Sequence, residues 1–152
     1  MTLDQFSRRM FFRASNLPGA VNVIVKRVVL AADQVLVTST PVDTGTARSN
    51  WQVSVGSPVE ETIDAYVPIT PGTDPGKLSE TGNAQAAINQ GQIAVANRQS
   101  GQTVFITNNL SYIEALNRGS SAQAPAMFVE AAVEAAVQAV RTSKLDTGRR
   151  QQ

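Results

Sequence analysis

Val21, Val25, Val28, Ala32 and Val35 recur at spacings of four and three, and a proline, Pro41, follows them. The stripe is that of a helix burying one face. Pro41 pushes Thr40 out of helical dihedrals, so the spacing predicts a helix that opens at Pro18 and stops near Ser39. Asn22, Lys26, Asp33 and Gln34 fall on its other faces. Shortly beyond, Trp51, Val53 and Val55 alternate with Gln52 and Ser54. That is the period of a half-buried strand, which Gly56 and Pro58 end. A long helix handing over to a strand within a few residues restricts the chain to mixed architectures.

The remaining segments extend the same pattern. Thr2-Leu3-Asp4-Gln5 has the form of a capping box, predicting a first short helix with Phe6 and Met10 on one face, interrupted at Asn16-Leu17-Pro18-Gly19. A second short strand is expected around 61–63. Residues 68–82, rich in proline and glycine at their start, read as a loop excursion. Residues 83–98 carry Ala87, Ile88, Ala94 and Val95 at helical spacing, weakened by Gly91. Thr103 to Thr107 is a strand by its β-branched and aromatic content. Ser111 to Asn117 supplies one or two helical turns closed by Gly119. Pro125 opens a last helix with Val129, Val133, Ala136, Val137 and Val140 as its core stripe, and Glu130, Glu134 and Gln138 as its wet one. The sum is an α+β fold: a long N-terminal and a C-terminal helix packed on a small, mainly antiparallel sheet, with a long Pro/Gly-rich loop. We expect one domain over 1–141 and a polar tail over 142–152.

Several function classes drop out on composition. The 152 residues include no Cys and no His. Disulfides, the usual zinc sites and any mechanism built on histidine therefore cannot be written. No run reaches the ~18 apolar residues of a membrane helix. The start, Met1 to Gln5, lacks a signal peptide's basic and apolar regions, so a cytoplasmic origin is expected. Net charge is +1 and charged residues are 16% of the chain, which leaves no global field to favour nucleic acid.

Asp43-Thr44-Gly45 is the active-site triplet of aspartic proteases, and it returns as Asp146-Thr147-Gly148. Such an enzyme needs two carboxylates sharing a proton, delivered on facing loops of a β-rich frame. Here the first triplet follows an amphipathic helix, and the second sits in a polar tail beside Lys144, Arg149 and Arg150. A homodimer using Asp43 from each chain is the surviving peptidase reading. The structural reading is a joint: Pro41 fixes the helix exit, Asp43 accepts backbone N–H groups as a turn or cap, Gly45 takes a positive φ, and Thr46 to Ser49 make one helical turn. Trp51 and Tyr112 are then expected to pack, and Asn108 and Asn109 to serve turn chemistry.

Taken together, TPVDTGTARSNWQVSVG (40–56) resembles the helix-to-strand signature of a family of tailed-bacteriophage neck or tail-completion proteins, often called minor tail or head–tail joining proteins. The match lies at Thr40, Pro41, Val42, Asp43, Thr44, Gly45, Arg48 and Trp51. A second block, 103–133, resembles the family at Asn108, Asn109, Tyr112, Leu116, Gly119, Ser120, Gln123, Ala124 and Pro125. The resemblance implies a structural virion protein of long-tailed phages and prophages, not an enzyme, with no cofactor, no metal and no catalytic residue. It further implies a homo-oligomeric ring, hexameric by tail symmetry, between the head connector and the tail terminator or tail tube. The protein would assemble in the host cytoplasm, with DNA passing nearby and no sequence-specific nucleic-acid or membrane binding. A tail-terminator or head–tail connector ring is the alternative, and an aspartic peptidase using Asp43 comes after it. A ring needs two unlike patches on each subunit. Candidates are the 68–82 loop, the exposed face of the 18–38 helix and the 117–124 segment.

Overall fold

The computed structural model describes residues 1–72, 76–122 and 126–145, with backbone alone at 77 and 78. The fold is α+β. A helix α1 (Leu3–Ser39) leads through the single turn α2 (Thr46–Ser49) into strand β1 (Gln52–Val55). Helix α3 (Gly76–Ala96), strand β2 (Val104–Thr107), the short α4 (Ile113–Asn117) and helix α5 (Phe128–Thr142) follow. The strands pair antiparallel, Gln52 opposite Thr107 and Val55 opposite Val104.

The expected capping box forms. The Gln5 amide N–H donates to Thr2 Oγ1 (3.3 Å) and the Thr2 N–H to Gln5 Oε1 (3.0 Å). The helix ends at Ser39, as the Thr40-Pro41 pair dictates. The expected interruption at 16–19 does not occur, because α1 runs unbroken through Pro18. Pro18 removes one bond to the carbonyl four residues back, yet residues 1–19 are all exposed, so the cost of an open carbonyl is low there. The apolar phase also carries across the proline. Leu3, Phe6, Met10 and Leu17 lie on the same side as Val21, Ile24 and Val28.

Leu36, Val37, Trp51, Ala87, Phe128 and Ala132 form the buried core, with Ile106, Ile113 and Leu116 against it. Trp51 and Phe128 meet edge to face, ring centres 6.2 Å apart. Two stripes turn relative to expectation. On α1 the buried positions are Asp33, Leu36 and Val37, while Val25, Val28, Ala32 and Val35 are half-buried and Val21 is exposed. Both α5 and α3 pack on this helix, so its covered arc is wider than one stripe and takes in Asp33. On α5 the buried residues are Phe128, Ala132 and Ala139, whereas Val129, Val133 and Val140 are exposed. Phe128 wedged against Trp51 sets the phase of α5. The alanines that follow it then let α1 approach closely.

Three boundaries move as well. Residues 61–63 form no strand. The loop expected over 68–82 gives way to helix at Gly76, and residues 73–75 lie outside the described set. The last helix starts at Phe128, after Met127 in the left-handed region (φ 67°). Pro125 and Gln123 lie outside the described residues, as do 146–152 with the second Asp-Thr-Gly. Among the described residues no helix is long and apolar enough to cross a membrane.

Candidate functional site

The residues between α1 and β1 form a dense polar joint. Thr40 is fully buried at the end of α1, where its hydroxyl donates to the Leu36 carbonyl (2.6 Å) and accepts from Trp51 Nε1 (2.7 Å). Arg48, also buried, sends Nη2 to the carbonyls of Thr40 (2.9 Å) and Thr38 (3.4 Å). A guanidinium there satisfies carbonyls a helix end leaves open, and its charge suits the negative pole of the dipole. Nη1 meets Glu80 Oε1 at 3.5 Å, and burial lowers the pKa of Arg48 against the opposing pull of Glu80.

Gly45 has φ 83° and precedes α2, as expected of the glycine in the triplet. Asp43, however, does not cap α2, whose N-cap is Gly45 and which has no side-chain cap. Thr44 Oγ1 accepts from the Thr46 amide at 3.4 Å. Asp43 is exposed, its Oδ1 3.5 Å from the Gly72 amide, a contact at the outer limit of a hydrogen bond. Burial, then the Asp43 charge, raises the pKa of the Tyr112 hydroxyl. Tyr112 is thus on the Asp43 side of the molecule, and at 42% exposure it does not pack inside as expected.

Beside the joint, side-chain amides do the work of strands. Asn83 Oδ1 accepts the Val67 N–H (2.8 Å) while its Nδ2 donates to the Val67 carbonyl (2.8 Å). Asn50 pairs in the same two-point way with Ile63 (2.8 and 2.7 Å), and Gln90 with Val53 (3.1 and 2.9 Å). Gln52 Nε2 donates to the Glu61 carbonyl and Asn109 Nδ2 to that of Val59. At Val59, Glu61, Ile63 and Val67, side-chain amides thus take the place of a ladder along segment 59–67. Asn108 Nδ2 donates to the Ala47 carbonyl, tying the strand β2 exit to α2. Replacing Gln90 by alanine is expected to cost about 1 kcal/mol and to speed exchange of the Val53 amide selectively, as read by hydrogen-exchange NMR.

Of the matched positions, Thr40, Pro41, Val42, Gly45, Arg48 and Trp51 converge in this joint, and Asn108 is tied to it. Asp43, Asn109, Tyr112 and Gly119 lie at the surface. Residues the pattern does not single out are Asn83, Ser49, Asn50 and Gln90, whose polar side chains give no periodic signal. Asp33 is another. It is buried with neither carboxylate oxygen hydrogen-bonded, and burial raises its pKa to about 7. Its Oδ2 approaches the α carbon of Gly91 so closely that a Cβ there would lie 2.5 Å away.

Most polar groups of the joint bond to backbone, and the others pair among themselves, as Thr40 with Trp51, Ser49 with Asn83 and Arg48 with Glu80. A shallow hollow of about 460 Å³ lies elsewhere, lined by Ser111, Glu114, Arg118 and Ser120. No cluster of three acidic side chains suited to a metal occurs among the described residues.

The other distinctive feature is the start of α1. Asn22 Nδ2 donates to the Arg98 carbonyl (3.1 Å) and Lys26 Nζ to that of Ala96 (2.6 Å), which ties α1 to the end of α3. Residues 1–19, before these ties, are exposed throughout. Leu3 (84%) and Phe11 (77%) are almost bare, and Phe6, Met10, Phe12 and Leu17 are exposed too. Comparison of the chain with models of protein families, with characterised proteins and with solved structures yields no match.

Proposed function

We propose that this chain is a structural protein of the bacteriophage neck, a tail-completion adaptor that forms a ring between head connector and tail. The observation that supports it is the projecting start of α1. A helical arm ~25 Å long at 1.5 Å per residue, bearing three phenylalanines in water, suits a subunit completed by assembly. Exposed apolar patches of this kind mark interaction sites. The joint supports the same reading, since its buried polar side chains chiefly hold backbone or one another in place. The signature positions 40–51 thus serve the fold, as a structural protein requires. In this reading the ring is hexameric, follows the symmetry of the tail, and sits in the virion with DNA passing through it.

Electron microscopy of particles assembled without this gene product tests the proposal. DNA-filled heads with detached tails, or tails on a malformed junction, are the expected result. Tail tubes of uneven length would favour the tail-terminator ring instead. Normal infectious particles would overturn both.

A further inference from the structure

We infer that the arm of one subunit docks on the outer valine stripe of helix α5 in a second copy of this chain. The inference rests on the ring-forming reading above and supplies its two unlike patches.

The first patch is Leu3, Phe6, Met10 and Leu17, which share one side of the arm and are all exposed. Arg9 and Arg13 flank them. The second is Val129, Val133 and Val140, exposed on the flank of α5 away from Phe128, Ala132 and Ala139. Glu130, Glu134 and Arg141, all exposed, lie on the side next to that stripe, two acids to one base. Glu130 is held in place by Asn117 Nδ2 at 3.0 Å.

Charge selects this pairing over the obvious alternative. Arg8, Arg9 and Arg13 outweigh Asp4, so the arm is basic. With Arg8 paired to Asp4 at 3.1 Å, two arms side by side would still bring Arg9 and Arg13 together, whereas Glu130 and Glu134 on α5 oppose them in sign and outnumber Arg141. The lengths also agree. The exposed arm runs from Leu3 to Gly19, and α5 spans 15 residues, ~22 Å at 1.5 Å per residue. Within one chain the arm stays uncovered, since residues 1–19 are exposed throughout on a helix that runs unbroken past the ties at Asn22 and Lys26. Arm on α5 is a head-to-tail contact, and repetition of such a contact generates a ring when the rotation closes.

Two variants of the full chain test the contact. The arm variant is Phe6→Asp with Met10→Asp, and the stripe variant is Val133→Asp with Val140→Asp. All four positions are exposed, so circular dichroism should match the wild type. In sedimentation at ~10 μM, a concentration at which interfaces of standard size persist, the wild type is expected as a closed oligomer and each variant as a monomer. An equimolar mixture of the two variants should give a 1:1 dimer and nothing larger, since one intact arm meets one intact stripe. Retention of wild-type mass by either variant overturns the inference, as does a mixture that stays monomeric. A stripe variant that dimerises alone would assign the contact to arm-on-arm pairing and overturn it too. A monomeric wild type overturns the contact and leaves the neck reading to the particle experiment. Normal particles from the deletion would overturn that reading and leave the contact standing.

Discussion

Gly45→Ala is expected to lower folding stability by about 3 kcal/mol, whereas Asp43→Ala should change it by no more than about 0.5 kcal/mol. The reason lies in where each side chain points. At φ 83° an alanine pays ~1–2 kcal/mol for the left-handed conformation. Its Cβ would also stand 2.4 Å from Asn83 Nδ2 and 3.2 Å from the Val67 carbonyl. Asn83 would have to move, and with it the paired bonds to Val67 and the bond from the Ser49 hydroxyl (3.0 Å). Each buried group left without a partner adds ~1–3 kcal/mol. Asp43 is exposed and has only the long contact to Gly72. Urea unfolding of both variants, followed by Trp51 fluorescence, checks the contrast. Equal losses from the two substitutions would mean that the joint does not rest on Gly45 and Asn83. Acid cleavage of peptides abolished by Asp43→Ala would instead revive the peptidase reading.

The second large effect concerns Asp33 and pH. Its carboxyl has a pKa of about 7 in the folded protein, against 3.8 when solvated, because burial disfavours the charge. The folded state therefore holds this proton more tightly than the unfolded chain does. Below pH 4 both states are protonated and Asp33 costs nothing through its charge. Between pH 4 and about 7 unfolding releases a proton, so stability falls as pH rises. Above that range the full penalty applies, ~4 kcal/mol at ~1.4 kcal/mol per pH unit. Asp33→Asn, which has nearly the same shape and no charge, should match the wild type near pH 4 and exceed it by a few kcal/mol at pH 8. Burial, then the Asp33 charge, raises the pKa of Tyr66, so the tyrosine titration should move down in the variant. Denaturant midpoints measured from pH 4 to 8 decide the matter. A wild type whose stability does not decline across that range, or an Asp33→Asn variant weaker than the wild type at pH 8, would contradict the burial.

What can be read from the sequence follows from how local each signal is. The end of α1 at Ser39, the positive φ of Gly45 and the strands holding Val53 and Ile106 depend on a few neighbouring residues and turn out as the pattern predicts. The phase of α5 does not. Valine outranks alanine in hydropathy, so Val129, Val133 and Val140 look like the core, yet Phe128 and the nearness of α1 turn the alanines inward. Asp33 looks wet only while a single stripe counts as the whole buried face, and α3 covers a second. Pro18 reads as a break because its spacing carries no information about exposure, which is what lets the helix run through it. The joint is half legible. Gly45 and Arg48 carry a local reason, but Asn50, Asn83 and Gln90 act on backbone distant in sequence, and no spacing announces that.

Gln90 has a consequence for the sheet as a whole. A two-stranded sheet offers two open edges, and open edges recruit strands from other molecules. On the β1 side Gln90 already occupies both the N–H and the carbonyl of Val53. A foreign strand could add there only by expelling a side chain anchored in helix α3. The glutamine therefore acts as a plug against strand exchange at that edge, holding it shut with one side chain where other sheets use a whole extra strand.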